Sequence, residues 1–90
     1  MPKVMVSPKK TELPRYKCHK EVCALKIEAI HITVAGTYLI PANQAYNNIP
    51  VAQAYMQRNE VEVGGYWVVY EDGYESYSPA AAFEGGYTLI

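Results

Sequence analysis

From Ala24 to Thr33 the chain reads A-L-K-I-E-A-I-H-I-T, with Leu25, Ile27 and Ala29 alternating against Lys26 and Glu28. A period of two marks a half-buried strand. Beyond Ala29 the phase slips, because Ile30 and Ile32 are apolar on what had been the polar face. That slip predicts a β-bulge, or a strand passing from a half-buried edge into a fully covered region. A helix is the rival reading, since Leu25, Glu28 and Ala29 also fall at helical spacing. The β-branched density of Ile27, Ile30, Ile32, Thr33 and Val34 favours the strand. A turn is expected at Ala35-Gly36, after which Tyr38, Leu39 and Ile40 return as a second strand ended by Pro41. Residues 42–48 (ANQAYNN) are loop by composition.

Ile49-Pro50 reads as the start of a short helix, with Asn48 near its cap and Pro50 in the first turn, where a missing amide costs nothing. Val51, Ala54, Tyr55 and Arg58 keep helical spacing, and the helix should end near Asn59. After Gly64-Gly65, two aromatic runs flank Asp72-Gly73, the signature of a hairpin closed by a two-residue type I′ turn. Ser78-Pro79 then opens a second helix through Phe83, with Gly85-Gly86 as a left-handed stop. Residues 87–90 (YTLI) are a candidate last strand or core plug. The expected fold is α+β: a small antiparallel sheet of three to five strands near 24–33, 37–40, 65–71 and 74–77. Two short helices near 50–58 and 79–84 should pack on one of its faces. The expected core is Leu25, Ile27, Ile30, Ile32, Leu39, Val51, Tyr55, Val68, Tyr70 and Phe83.

Residues 1–13 behave differently, with Pro2 and Pro8, Lys9 and Lys10, and no sustained period. They are expected to form an extended basic arm, leaving 14–90 as a single small domain. Ninety residues support one core and no large enclosed cavity, so any site should lie on the surface. There is no apolar run of membrane-spanning length and no secretory leader, which points to the cytoplasm.

The net charge of −1 hides an uneven layout. Up to Lys26 seven basic residues face only Glu12 and Glu21; from Ile27 onward Arg58 alone stands against seven carboxylates. Such a split suits two halves that attract each other, within one fold or between copies, or a basic arm and an acidic face for separate partners. Lys9, Lys10, Arg15, Lys17 and Lys20 are the candidate basic contacts.

Local chemistry is sparse. Cys18, His19, Cys23 and His31 share a short window, but their spacing lacks the close pairs that tetrahedral zinc needs, so no metal is expected. Nothing marks a thiolate–imidazole pair with an oxyanion hole, and Glu71, Asp72 and Glu75 at a turn read as solvated loop charges rather than an acid/base pair. Phosphate-binding and zinc-protease motifs are missing from the sequence. No cofactor and no enzymatic activity are expected.

The aromatic content carries more information, since seven of eleven rings fall in the last 25 residues. A hairpin with alternating faces cannot bury them all, and an acidic, tyrosine-rich surface suits protein recognition. Tyr66, Trp67, Tyr70, Glu71, Asp72, Tyr74 and Glu75 are therefore the candidate protein-binding residues. The same acids repel phosphate, which disfavours nucleic acid apart from what the basic arm offers.

Two stretches, 14–27 (PRYKCHKEVCALKI) and 64–88 (GGYWVVYEDGYESYSPAAAFEGGYT), carry a resemblance. They resemble small uncharacterised proteins of tailed bacteriophages and prophages that share Y-x-C-H-K-x-V-x-A-L-K-I and G-G-Y-x-V-V-Y-x-D-G-Y-x-S-x-S-P-x-x-A-F-E-x-G-Y. The resemblance spans residue 14 to the C-terminus and brings no activity, substrate or catalytic residue with it; Cys23 is not part of the pattern. It implies a phage origin; small size and the acidic, tyrosine-rich composition point to a non-enzymatic protein in the host bacterial cytoplasm that binds a protein partner, such as a host enzyme or defence system. The alternatives are a virion component assembled through its arm, with homo-oligomers, and a nucleic-acid accessory.

Overall fold

The computed structural model describes residues 13–17 and 21–89. The expected arm, with Lys9 and Lys10, lies outside the described residues, as do Cys18, His19 and Lys20. Nine elements follow in order: β1 (Arg15–Lys17), β2 (Glu21–Thr33), β3 (Gly36–Pro41), β4 (Ile49–Val51), α1 (Gln53–Arg58), β5 (Tyr66–Val69), β6 (Glu75–Ser78), α2 (Ala80–Gly86) and β7 (Thr88–Leu89). The α+β antiparallel architecture with two short helices matches the expectation, but the sheet has seven strands rather than three to five. Of the added strands, β7 falls in the candidate last strand at 87–90, and β1 and β4 have three residues each, too few to show a period.

The thirteen-residue β2 organises everything. Its first half pairs with β1 (Tyr16↔Val22) and with β5 (Cys23↔Val69, Leu25↔Trp67). Its second half pairs with β3, from Ile27↔Pro41 to Thr33↔Gly36. A register shift between Ile27 and Ala29 falls where the hydrophobic phase slips. The extra residue lets Ile30 join Leu25 and Ile27 in one core, which strict alternation would have forbidden.

Two cores sit on opposite faces of the β2–β5 pair. Leu25, Ile27 and Trp67 point to one face, where Leu39, Ile49 and α1's Tyr55 join them. Val22, Ala24, Tyr66 and Val68 point to the other and meet Phe83 of α2. The helices thus cover opposite faces, not one face as expected. The cause is in the runs V-C-A-L and Y-W-V-V, apolar at consecutive positions and so greasy on both sides of a strand.

Several expectations need correction. Ile49 and Pro50 belong to strand β4, where Leu39↔Ile49 pairing continues the sheet; Pro50 is tolerated because β4 is outermost, and the helix starts only at Gln53. Ser78 Oγ donates to the Pro79 carbonyl at 3.3 Å, and α2 starts at Ala80 with no side-chain cap. Gly85 and Gly86 lie within α2 and do not take positive φ, so they are no left-handed stop. Tyr87 ends the helix in extended conformation, and Thr88 and Leu89 pair with β1. Of the expected core, Leu25, Ile27, Leu39, Tyr55, Val68 and Phe83 are buried and Ile30 and Val51 half-buried. Ile32 is 74% exposed, and Tyr70, one residue past the end of β5, is 36% exposed.

Candidate protein-binding site

Tyr66 and Trp67 are not surface residues. Both are buried, and each sends its polar atom to a carboxylate at the rim. The Trp67 indole N–H donates to Glu75 Oε1 at 3.0 Å, and the Tyr66 hydroxyl donates to Glu84 Oε2 at 2.8 Å. Lys26 reaches the same Glu84 oxygen at 2.8 Å, with its ammonium 5.3 Å from the Tyr66 ring centre. Phe83 stacks between Tyr66 at 4.2 Å and Tyr87 at 4.5 Å, and Tyr16 meets it edge-on at 4.8 Å. Burial first, then the Glu84 hydrogen bond and charge, push the Tyr66 phenol up to about 12. Hydrogen bonds from Lys26 and Tyr66 hold the Glu84 carboxyl below its usual range. This cluster fastens α2 to the sheet. The earlier placement of Tyr66 and Trp67 at a binding face is corrected, because helix cover on both sides leaves neither face of β5 open.

The remaining candidates gather at the β5–β6 tip. The turn is wider than expected: Tyr70 N–H donates to the Tyr74 carbonyl at 3.0 Å and Gly73 N–H to the Tyr70 carbonyl at 2.9 Å, leaving Glu71-Asp72-Gly73 as the loop. Only Gly73 takes positive φ, at 89°, whereas a type I′ turn would require it of Asp72 also. Asp72 Oδ1 instead accepts the Tyr74 amide at 3.0 Å, fixing the loop from its side chain. Tyr70 and Tyr74 face each other with ring centres 6.0 Å apart. The Arg58 guanidinium lies 5.3 Å from the Tyr74 ring centre and donates to the Glu75 carbonyl at 3.1 Å, tying α1 to the hairpin.

Beside the tip, Glu21, Val22, Tyr70, Glu71 and Asp72 line an open cleft of about 360 Å³. Glu21 and Val22 were not anticipated as site residues. The Cys23↔Val69 register explains them, since one and two residues further on Val22 and Glu21 come alongside Tyr70 and Glu71. Arg15 pairs with Glu21 at 2.6 Å, and Glu71 and Asp72 are exposed carboxylates that no basic side chain among the described residues meets in an ion pair. Of the basic candidates, Arg15 and Lys17 are exposed on β1, at the β2 end that carries Glu21. Such a cleft, acidic with one aromatic wall, holds a cationic side chain by charge and ring contact.

No protein-family model, curated protein or solved structure significantly matches the chain. Among the described residues no cluster of three or more His, Cys, Asp or Glu is arranged to hold a metal ion. No helix among them is long and apolar enough to cross a membrane.

Proposed function

We propose that the chain is a small non-enzymatic bacteriophage protein that binds a protein partner, in the host cytoplasm, through the β5–β6 tip. The observation that carries the reading is the cleft joining Glu71, Asp72 and Tyr70 to Glu21 and Val22, with Tyr74 paired to Tyr70 alongside. Two exposed tyrosines supply contact area at low entropic cost, and the carboxylates select a partner with a lysine or arginine at the docking point. The phage origin rests on the resemblance in 14–27 and 64–88, and a host enzyme or defence protein is the partner class it suggests. Trp67 and Tyr66 act only as the scaffold beneath.

The test is recovery of tagged protein from a bacterial host, with the mass of the complex read by size exclusion and light scattering and co-eluting chains identified from their peptides. A stoichiometric protein lost on Tyr70→Ser and on Glu71→Gln with Asp72→Asn supports the reading. A partner that survives those changes, or co-purifying nucleic acid in its place, sinks it.

A further inference from the structure

Among the described residues the sheet has four open edges, and three are blunted. On outermost β4, Pro50 removes an amide donor. On β6, Arg58 occupies the Glu75 carbonyl. Outermost β7 has only two residues. The fourth edge is the second half of β2. The β5 edge of β2 is used as far as Ile27, whose N–H and carbonyl bond Gly65 and Gly64; beyond it, among the described residues, β2 pairs only with β3.

Thr33 and Gly36 flank a two-residue turn, so Thr33, His31 and Ala29 direct their backbone groups to β3. Ile30 and Ile32 therefore turn theirs to the open edge. That edge carries no lysine and no proline, and it ends in Ile32, 74% exposed, and the fully exposed Val34.

We infer that this edge pairs with the same edge of a second copy, antiparallel about a two-fold axis through His31. The pattern is self-complementary: in that register His31 faces its own copy on the axis, Ile30 lies opposite Ile32 of the second copy, Ala29 opposite Thr33, and Glu28 opposite Val34, with no two carboxylates facing. Ile30 and Ile32 are the residues whose backbone groups are directed outward, so they exchange hydrogen bonds reciprocally. The same register places each exposed Ile32 beside the other copy's Ile30, which already packs against the core. A second copy is the occupant that both pairs an edge free of lysine and proline and covers the exposed Ile32. The surface is separate from the tip cleft, so the two proposals stand or fall independently.

Sedimentation of the full chain across micromolar to millimolar concentrations should give a reversible dimer. Ile32→Lys, at an exposed position, should raise its dissociation constant at least tenfold with an unchanged melting temperature of the monomer. His31→Cys, on the axis, should form a 31–31 disulfide in oxidised glutathione, identified by peptide mass, because facing residues of an antiparallel pair lie within disulfide reach. Thr33→Cys, which faces Ala29 in this register, should not link to itself. A monomer throughout the range, a dimer indifferent to Ile32→Lys, or a 33–33 link in place of the 31–31 link overturns the proposal.

Discussion

Gly65 sits where the chain enters β5, and a methyl group there would collide with Tyr77. A Cβ built on Gly65 falls 2.2 Å from the Tyr77 hydroxyl oxygen and 2.5 Å from Cε1 and Cζ of the ring. Ordinary contact is about 3.5 Å, so the ring must retreat by roughly 1 Å. Its phenol end can swing, but three restraints oppose the swing. Tyr77 faces Trp67 across the β5–β6 pair and packs on the first core, and its hydroxyl accepts the Glu62 amide at 3.2 Å while lying 3.4 Å from the Glu62 carbonyl. Gly65 does not itself take positive φ, so the substituted backbone is unstrained and the penalty is purely steric. Overpacking of this kind costs about 1–3 kcal/mol, and loss of the phenol hydrogen bond adds about 1 kcal/mol. Reduced freedom of the unfolded chain returns about 0.4–1 kcal/mol. Gly65→Ala should thus destabilise by about 2–3 kcal/mol, a melting-point drop on the order of 10–20 °C in a domain of this size. The assay is thermal and urea unfolding of Gly65→Ala, Tyr77→Ala and the double variant. Most of the Gly65→Ala cost should vanish once the ring is gone. An unchanged melting point, or an equal cost with and without Tyr77, would refute the steric argument.

Trp67→Ala should cost about 3–5 kcal/mol, read by urea unfolding, because it empties the centre of the first core and strips Glu75 of its indole donor. Trp67→Phe should retain partner binding, which pull-down can check; specific loss of binding in a folded Trp67→Phe would return this residue to the interface. Tyr70→Ser and Tyr74→Ser, at 36% and 48% exposure, should each change stability by only about 0.5 kcal/mol while weakening the partner complex, as calorimetric titration can show. Tyr66 and Tyr55 both have raised phenol values, chiefly through burial, and both should remain protonated in the fold after unfolded tyrosine ionises. Their contribution is therefore complete below pH ~10 and is lost as pH rises through about 12 for Tyr66. Unfolding monitored with tyrosinate absorbance should show that alkaline loss, and it should shrink in Tyr66→Phe. Glu84 has the opposite sign: its lowered value makes its contribution present near neutrality and lost in acid, so Glu84→Gln should flatten the acid limb.

What was legible in the sequence was periodic or punctuated. The β2 alternation, its phase slip at the bulge and the paired aromatic runs of β5 and β6 all carried enough residues to show a period. The misplacement of Tyr66 and Trp67 came from treating the hairpin as having one wet face. Under that assumption, either Trp67 or the tyrosines on the opposite face are left partly exposed; with Tyr55 on one side and Phe83 on the other, Tyr66, Trp67 and Val68 are all buried. Pro50 misled for a related reason, since its fixed φ suits a first helical turn and an outer strand alike, and only the pairing of Ile49 with Leu39 decides between them. The type I′ turn failed because Asp72 has a second option, an accepted hydrogen bond from Tyr74, that holds a wider loop with one positive φ in place of two. Glu21 and Val22 joined the cleft through register, which no local window encodes.

The same two-sided cover decides where recognition can reside. Seven aromatics crowd the last 25 residues, and four of the seven (Tyr66, Trp67, Phe83 and Tyr87) are spent on the two cores and the α2 stack. Tyr77 is occupied over Gly65. That leaves Tyr70 and Tyr74, the pair beyond the last covered position of β5 and before the first of β6, beside carboxylates held by a loop that Asp72 itself braces. A domain this small gains rigidity by burying both faces of its central strands, and the surface left for the two proposed contacts is then confined to strand ends and edges. For this chain those are the β5–β6 tip and the open half of β2. Substitutions confined to the one should leave the other's binding intact, and a variant that disables both should do so only by unfolding the sheet between them.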